Sequence, residues 1–299
     1  MRQRYAIVTD DPGWHGAKLK EALAERGCEA ICVSLAQGRL EAVSGRPPVV
    51  FPGFEDGLPA GVFVRGISGG SLEQLILRLD LLHALESCGI KVYNPPRAIE
   101  LSVDKGMTSV LLTQAGIPTP PAWVTPDPAQ ALTLAQEELK LGHWVVSKPL
   151  FGSQGEGVEL HTSLDSLRAL NPAGGVYYLQ RYVGQKPAWD WRVFVIAGKA
   201  VAAMIRRGAD WRTNVAQGGC PAPATLDGFL VRLAQDSAQV LRLDYAGVDI
   251  MQDETGRLWV IEVNGIPAWK GLQSVCSLDI TRLLVEDFLS RCEPLRLVG

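Results

Sequence analysis

The sequence contains no long uninterrupted apolar stretch. The apolar run near the N-terminus, residues 5–9, is far too short for a signal peptide or a membrane span. No other stretch reaches membrane length. We therefore expect a protein without a membrane anchor and place it in the cytoplasm.

Residues that bind transition metals are also scarce. The chain has four histidines, none clustered, and six scattered cysteines without a Cys-x-x-Cys pair. This excludes a typical zinc site and favours reduced thiols. The net charge of −3 gives no basic footprint, so no nucleic-acid partner is expected. Hydrophobic residues make up 47% of the 299 positions, enough for two or three packed subdomains.

Two apolar strands joined by a tight turn are predicted near the end of the chain, over residues 247–264. Side chains alternate along a strand, so Glu262 and Asn264 share one face while Ile261 takes the other. In a hairpin, Asp249 can join Glu262 and Asn264. Two carboxylates and an amide oxygen suit Mg²⁺, which completes its shell with water and phosphate. An edge hairpin with a solvated face would explain the segment equally well.

A lysine followed by a glycine-rich loop is the second informative segment. Lys148 ends an apolar strand, and residues 152–157 contain three glycines. Backbone N–H groups of such a loop approach phosphate closely, and the lysine adds a charge for it. The order differs from a P-loop, in which the lysine follows the glycines. A simple hairpin turn would also explain the glycines.

The order of predicted elements divides the chain into three parts. Residues 1–98 alternate strands and helices, which is typical of a small parallel α/β unit. Residues 99–185 and 186–299 are expected to form a central and a C-terminal lobe. A helix is predicted over residues 102–115, capped by Ser102 or Asp104 and ending before Gly116.

Further motifs follow in a fixed order along the chain. They are Asp104-Lys105, Gly116–Pro120, Ser147–Pro149 with the glycine loop, Leu179–Val183, Asp190–Val195, Ala202–Arg207, Arg212–Asn214 with Gln217–Gly219, and Asp249 with Glu262 and Asn264. Together they resemble the ATP-grasp superfamily, in particular its RimK-like branch of glutamate ligases, over about residues 60–290. The resemblance implies a mixed α/β (α+β) ATP-grasp fold with an N-terminal pre-ATP-grasp lobe, a central small lobe and a C-terminal lobe.

The activity implied by the resemblance is that of an ADP-forming ligase. ATP phosphorylates a carboxylate to an acyl phosphate, and an amine then attacks to form an amide. The implied cofactors are ATP and one or two Mg²⁺ ions, with Mn²⁺ as an alternative. The implied partners are glutamate, a small carboxylate acceptor and further copies of the chain in a homo-oligomer. A pterin-like cofactor such as tetrahydromethanopterin is favoured as acceptor. Alternatives are a protein tail or amino-acid carrier, a small-molecule kinase, and a non-catalytic nucleotide-binding subunit.

The resemblance also assigns ATP-binding and metal-binding positions. The expected ATP contacts are Lys105, Lys148, Gly152, Ser153, Gly155, Gly157, Gln180, Arg181, Tyr182, Val183, Asp190, Arg212, Thr213 and Asn214. Asp249, Glu262 and Asn264 would bind the metal. The family usually has a glutamate where this chain has Arg181, which puts the side-chain contact to adenine in doubt. Without the resemblance, Lys105 would be interpreted as a solvated helix residue.

Catalytic and substrate contacts are assigned to cations and one aromatic ring. Arg206 and Arg212 are the expected catalytic residues. Substrate contacts are expected from Arg65, Arg192, Arg206 and Trp269. Arg192 and Arg206 lie in apolar strands, where an unpaired charge is costly, so each should meet a structural or a substrate carboxylate. Trp269 would stack on a planar acceptor unless it belongs to the core.

Overall fold

The computed structural model describes residues 3–152, 155–208, 210–213 and 218–292, which form three larger β-sheets covered by helices. The strands are β1 Arg4–Val8, β2 Glu29–Val33, β3 Arg39–Leu40, β4 Val49–Val50, β5 Val62–Val64, β6 Val92–Tyr93, β7 Ala122–Thr125, β8 Val145–Lys148, β9 Glu159–His161, β10 Tyr177–Arg181, β11 Trp189–Ile196, β12 Lys199–Arg207, β13 Cys220–Pro223, β14 Tyr245–Gln252 and β15 Leu258–Asn264. The helices are α1 Gly13–Ala24, α2 Leu72–Ser87, α3 Pro96–Val103, α4 Lys105–Gln114, α5 Pro128–Lys140, α6 Leu164–Arg168, α7 Gly228–Val240, α8 Lys270–Gln273 and α9 Ile280–Cys292.

The first sheet is parallel and has the strand order β2-β1-β5-β6, in agreement with the predicted α/β unit. Strands β1, β5 and β6 are short apolar runs whose residues are almost all buried, which is typical of parallel sheets covered on both faces. Helix α2 begins at a capping box, in which Ser71 and Gln74 satisfy each other's backbone N–H groups.

The central sheet is antiparallel, with the order β7-β10-β8-β9. Helix α5 covers one face of it and packs Ala131 and Ala135 against Val145 and Leu179. The opposite face therefore carries the side chains that alternate with these buried residues, including those that line the candidate site.

The C-terminal sheet is also antiparallel, with the order β13-β12-β11-β14-β15. Helix α7 packs on one face through Leu230 and Ala234, among others. The other face meets the N-terminal lobe in an aromatic cluster that contains Phe63, Tyr93 and Phe288. The first and last lobes are therefore joined by a continuous apolar core.

The helix predicted over residues 102–115 is α4, and it begins at Asp104, the second of its two predicted caps; Ser102 belongs to the preceding helix α3. Asp104 lies between the two helices with extended backbone angles, φ −85° and ψ 98°, and its carboxylate accepts from the Met107 N–H at 3.0 Å. An N-cap aspartate interrupts the helical hydrogen bonds at this point, and the break turns Lys105 toward the candidate site.

The limits of the three parts at residues 98 and 185 stay predictions, although one of the three larger sheets lies in each part. Within the described part of the chain, no helix is both long and apolar enough to cross a membrane.

Candidate active site

The predicted hairpin brings the two carboxylates face to face. Strands β14 and β15 pair with Asp249 directly opposite Glu262, and Gly247 opposite Asn264. The pairing then shifts, so that Ile250 faces Val260 and Ile261 is an extra residue in β15. This β-bulge turns Ile261 and Glu262 together toward the pocket, whereas Val260 and Val263 are both buried in the core. The prediction that Ile261 lies on the face opposite Glu262 is therefore wrong.

Both strand arginines meet structural carboxylates. Arg192 pairs with Asp249 through two nitrogens, one of them at 2.8 Å. Arg206 donates to Asp190 at 2.7 Å and lies 3.0 Å from Asp249. Thr213 adds a hydrogen bond to Asp190 at 2.6 Å. The network satisfies the requirement that buried charges be paired.

The network also sets the charge of its aspartates. Burial opposes ionisation of Asp249, but the two guanidinium groups outweigh it and hold the pKa of this carboxyl below its ordinary value. Burial raises the pKa of Asp190 despite its bonds to Arg206. The predicted contact between Asp190 and a ribose hydroxyl would have to share an oxygen with Arg206 and Thr213, and it stays a prediction.

Glu262 carries an unpaired carboxylate in the described part of the site. Its carboxylate makes no hydrogen bond or ion pair within the described residues, and it lies near the ammonium groups of Lys105 and Lys148. No group of three His, Cys, Asp or Glu side chains in the described ranges could hold a metal alone. An unpaired carboxylate opposite a second carboxylate fits Mg²⁺, because this ion takes few protein oxygens beside phosphate and water.

Lys148, the last residue of β8, contacts the neighbouring strand β10. Lys148 donates to Gln180 Oε1 at 2.7 Å, which leaves Gln180 Nε2 buried without a partner in the described part of the chain. Burial lowers the pKa of Lys148 from 10.5 to about 8. Lys105 donates to the Gly152 carbonyl at 2.9 Å, so it contacts the start of the glycine loop.

Arg181 borders the pocket but its charge is used elsewhere. Side chains alternate along β10, so Arg181 points away from Gln180 and toward α5. Its guanidinium pairs with Glu138 at 2.6 and 2.9 Å, and His143 approaches the same carboxylate. Arg181, which stands where the family usually has a glutamate, therefore forms a salt bridge on the face of the central sheet that α5 covers.

The pocket between the central and C-terminal sheets has an apolar part that sequence reasoning missed. Val146, Val158, Met251 and Ile261 line it, together with Trp211. Alternation provides a signal for Val146, which lies two residues before Lys148, but nothing in the sequence identified Trp211. These side chains form a surface suited to a planar base.

The glycine loop begins next to the pocket. Gly155 and Gly157 have positive φ, at 76° and 65°, which explains glycine at both positions. Ser153 and Asn214, two predicted ATP contacts, lie outside the described residues. Arg212 borders the pocket, where its guanidinium pairs with Asp210 at 2.7 Å.

Trp269 does not contact an acceptor. Its ring is fully buried in the core between the first and last lobes, and its Nε1 donates to Thr281 at 2.9 Å. A ring with no exposed area has no free face for stacking. The prediction that Trp269 contacts the substrate is therefore wrong. Arg65 covers this ring at 4.6 Å and donates to the Pro267 carbonyl at 3.0 Å.

The pocket thus brings together two lysines, Lys148 on β8 and Lys105 on α4, the glycine loop, and the facing carboxylates of β14 and β15. The family model of the RimK-like ATP-grasp domain matches residues 102–288. The chain therefore belongs to the RimK-like ATP-grasp family. It is an ADP-forming ligase that makes amide bonds and binds ATP.

The similar proteins are ligases of this kind. The tetrahydromethanopterin:alpha-L-glutamate ligase of Methanococcus maripaludis is 35% identical over 236 residues, which cover 76% of this chain and 78% of the relative. The alpha-aminoadipate–LysW ligase LysX of Saccharolobus solfataricus is 30% identical over 211 residues, covering 68% and 75%.

A solved structure agrees in fold. The ATP-grasp ligase PsnB, complexed with a phosphomimetic variant of its minimal precursor, Mg and ADP, superposes with a TM-score of 0.75. It is 20% identical and covers 97% of this chain and 98% of its own.

Proposed function

We propose that the chain adds L-glutamate to a carboxylate-bearing small cofactor of the pterin type. The relative from Methanococcus maripaludis, by its name, attaches glutamate to tetrahydromethanopterin. The relative from Saccharolobus solfataricus is named for a carrier protein, LysW, and supports the alternative of a protein-borne acceptor.

The reaction proceeds in two steps. The acceptor carboxylate attacks the γ-phosphorus of ATP, which forms an acyl phosphate and releases ADP. The neutral amine of glutamate then attacks the acyl carbon, loses one proton and expels phosphate, leaving an amide. The protein mainly positions the reactants and neutralises charge.

The residues fit these tasks. Lys105 and Lys148 neutralise phosphate oxygens, and Glu262, Asp249 and Asn264 hold Mg²⁺. When bound, Mg²⁺ supplies charge stabilisation at the transferred phosphoryl group. Gln180, with its free Nε2, belongs to the same wall of the pocket.

Four further contacts are proposed. The Val183 amide, which has no hydrogen-bond partner within the described residues, reads the edge of the base. Arg206 and Arg212 act as cations near the transferred group, and Arg192 faces the acceptor carboxylate.

The observation that carries the proposal is the unpaired Glu262 carboxylate opposite Asp249, between two lysines. A carboxylate that faces cations without pairing is arranged for a ligand that brings both a metal and phosphates. A structural role would have paired it.

The proposal also includes a homo-oligomer, a cytoplasmic location, and one or two ions with Mn²⁺ able to replace Mg²⁺. Light scattering tests the oligomer, and metal titration of activity tests the ions. Limited proteolysis tests the lobe limits at residues 98 and 185.

The decisive experiment measures the products of Mg-ATP, glutamate and a panel of carboxylate acceptors that includes pterins and carrier proteins. Release of ADP and phosphate that depends on the acceptor, with a mass gain of one glutamyl unit, is expected. A stable phosphorylated product would indicate a kinase instead. Release of AMP, or ATP binding without turnover for any acceptor, would contradict the ligase proposal.

A further inference from the structure

A cluster of cationic and aromatic side chains lies at the carboxyl edge of the first sheet. Arg65 directly follows β5, and His15 lies on α1, which follows β1. Strands β1 and β5 are neighbours, and β2 lies on the other side of β1. The strand order therefore reverses at this point, and in open α/β sheets ligands bind in the crevice formed there.

The contacts among these residues are specific. Trp269 connects them, because its ring lies under Arg65 at 4.6 Å and its backbone N–H donates to His15 Nε2 at 3.1 Å. Lys270 is the next residue and is exposed. We name Arg65 and Lys270 the cationic cluster; His15 is a neutral neighbour, because its Nε2 accepts the Trp269 N–H.

The charges of the cationic cluster have no carboxylate partner in the part of the chain that the structure describes. Within the described ranges, neither Arg65 nor Lys270 forms an ion pair, and Arg65 Nε is buried without a hydrogen-bond partner. Burial lowers the pKa of His15 to about 4, and the charges that add to this effect are Arg65 and Lys270. The half-buried guanidinium of Arg65 donates to the Pro267 carbonyl and lies beside the Tyr245 hydroxyl, and a guanidinium has further N–H groups that can serve an anion.

The cationic cluster adjoins the phosphate site. Arg65 donates to the carbonyl of Pro267, which lies over Gly247 beside Arg192. A Cβ placed at Gly247 would lie 2.8 Å from Pro267 Cβ and 3.2 Å from Arg192 Nη1. Arg192 in turn pairs with Asp249. Pro267 thus separates the cationic cluster from the ion pair of Arg192 and Asp249, which lies beneath the proposed site of phosphoryl transfer.

We propose that the cationic cluster binds the carboxylates of the incoming amino acid, with Arg65 holding the α-carboxylate and Lys270 the side-chain carboxylate. This proposal rests on the proposed glutamate ligase activity. The acceptor carboxylate must lie at the phosphates, where it becomes an acyl phosphate. The carboxylates of the incoming amino acid stay anionic throughout, so they need fixed cations nearby.

The different burial of Arg65 and Lys270 decides which carboxylate each residue would bind. Every amino acid has an α-carboxylate, and the half-buried fork of Arg65 can pair with it in a bidentate way. Lys270 lies at the exposed rim, where a point charge suits the variable side chain. Nearby cations also disfavour protonation of the substrate amine, which keeps it nucleophilic.

Steady-state kinetics with glutamate and glutamine tests this assignment, because glutamine lacks only the side-chain carboxylate. Arg65→Lys should raise KM for both amino acids by about tenfold or more. Lys270→Ala should raise KM for glutamate about tenfold and leave glutamine unchanged, which lowers the preference for glutamate. KM for ATP should change less than about twofold in either variant.

Lys20→Ala is the matched control, since Lys20 is an exposed lysine on α1 without an ion pair in the described part of the chain. Lys20→Ala removes the same charge and should change KM for neither glutamate nor glutamine. An unchanged preference for glutamate in Lys270→Ala, or a rise in KM for the acceptor in place of glutamate, would overturn the assignment.

Absence of product with the wild-type protein would instead contradict the proposed function. In that event, calorimetric titration of glutamate into the protein with Mg-ADP tests the cationic cluster directly. Binding that is lost in Arg65→Lys supports the assignment. No binding to the wild-type protein, or equal binding to the variant, refutes it.

Discussion

Nucleotide affinity should fall as pH rises above neutrality, because Lys148 loses its charge. Burial lowers the pKa of this lysine to about 8 from 10.5. The bound phosphates favour the ammonium form, so the pKa of Lys148 is raised again in the complex. Between these two pKa values, binding must take up a proton, and affinity decreases with pH.

The size of the effect follows from the pKa of Lys148 in the protein without nucleotide. About nine-tenths of the molecules carry the ammonium at pH 7, and about one-tenth do at pH 9. The dissociation constant for Mg-ADP should therefore be about tenfold larger at pH 9, a loss of about 1.4 kcal/mol. The phosphates of ADP are almost fully ionised above about pH 7 and contribute little to this slope.

Calorimetric titration with Mg-ADP from pH 7 to pH 9.5 measures the effect without turnover. Lys148→Arg is the control, because a guanidinium keeps its charge over this range and should give a flat profile. The reasoning is refuted if the arginine variant shows the same decline, or if the wild-type affinity stays constant to pH 9.5.

Four further outcomes are expected. Glu262→Gln should lower kcat by about two orders of magnitude or more with an unchanged circular dichroism spectrum, and unchanged turnover would contradict the metal assignment. Arg181→Ala should reduce the free energy of unfolding in urea by about 3 kcal/mol, since it leaves the buried Glu138 without its bidentate partner, while Mg-ADP affinity stays the same. Trp269→Ala should cost about 4 kcal/mol of stability in the same assay; a small loss would argue against a core role. Amides of residues 155–157 should exchange hydrogen more slowly with Mg-ADP bound, and an equal rate would exclude loop closure.

Much of the fold was predictable because local patterns and tertiary structure agree. The first lobe alternates short apolar strands with helices, and the parallel sheet follows from that order. The pairing of Asp249 with Glu262 follows from two strands and a turn of fixed length. The family resemblance gave the order of the remaining motifs, and the match to residues 102–288 confirms the family.

Three features were not predictable from the pattern of residues. The bulge at Ile261 breaks the period of two, and no glycine or proline marks it. The partners of Arg192 and Arg206 depend on which strands become neighbours in the C-terminal sheet. The direction of Arg181 depends on α5 lying behind the central sheet with Glu138 in reach.

The sequence by itself determined the family and the candidate site residues, because the motifs occur along the chain in the family's order. Tertiary structure decided their partners. Arg65, for example, covers Trp269, which is far away in the sequence, and the same contact buries the ring predicted to stack on substrate. Local alternation fixes the face of a strand on which a side chain lies, but only packing between lobes fixes what that face meets.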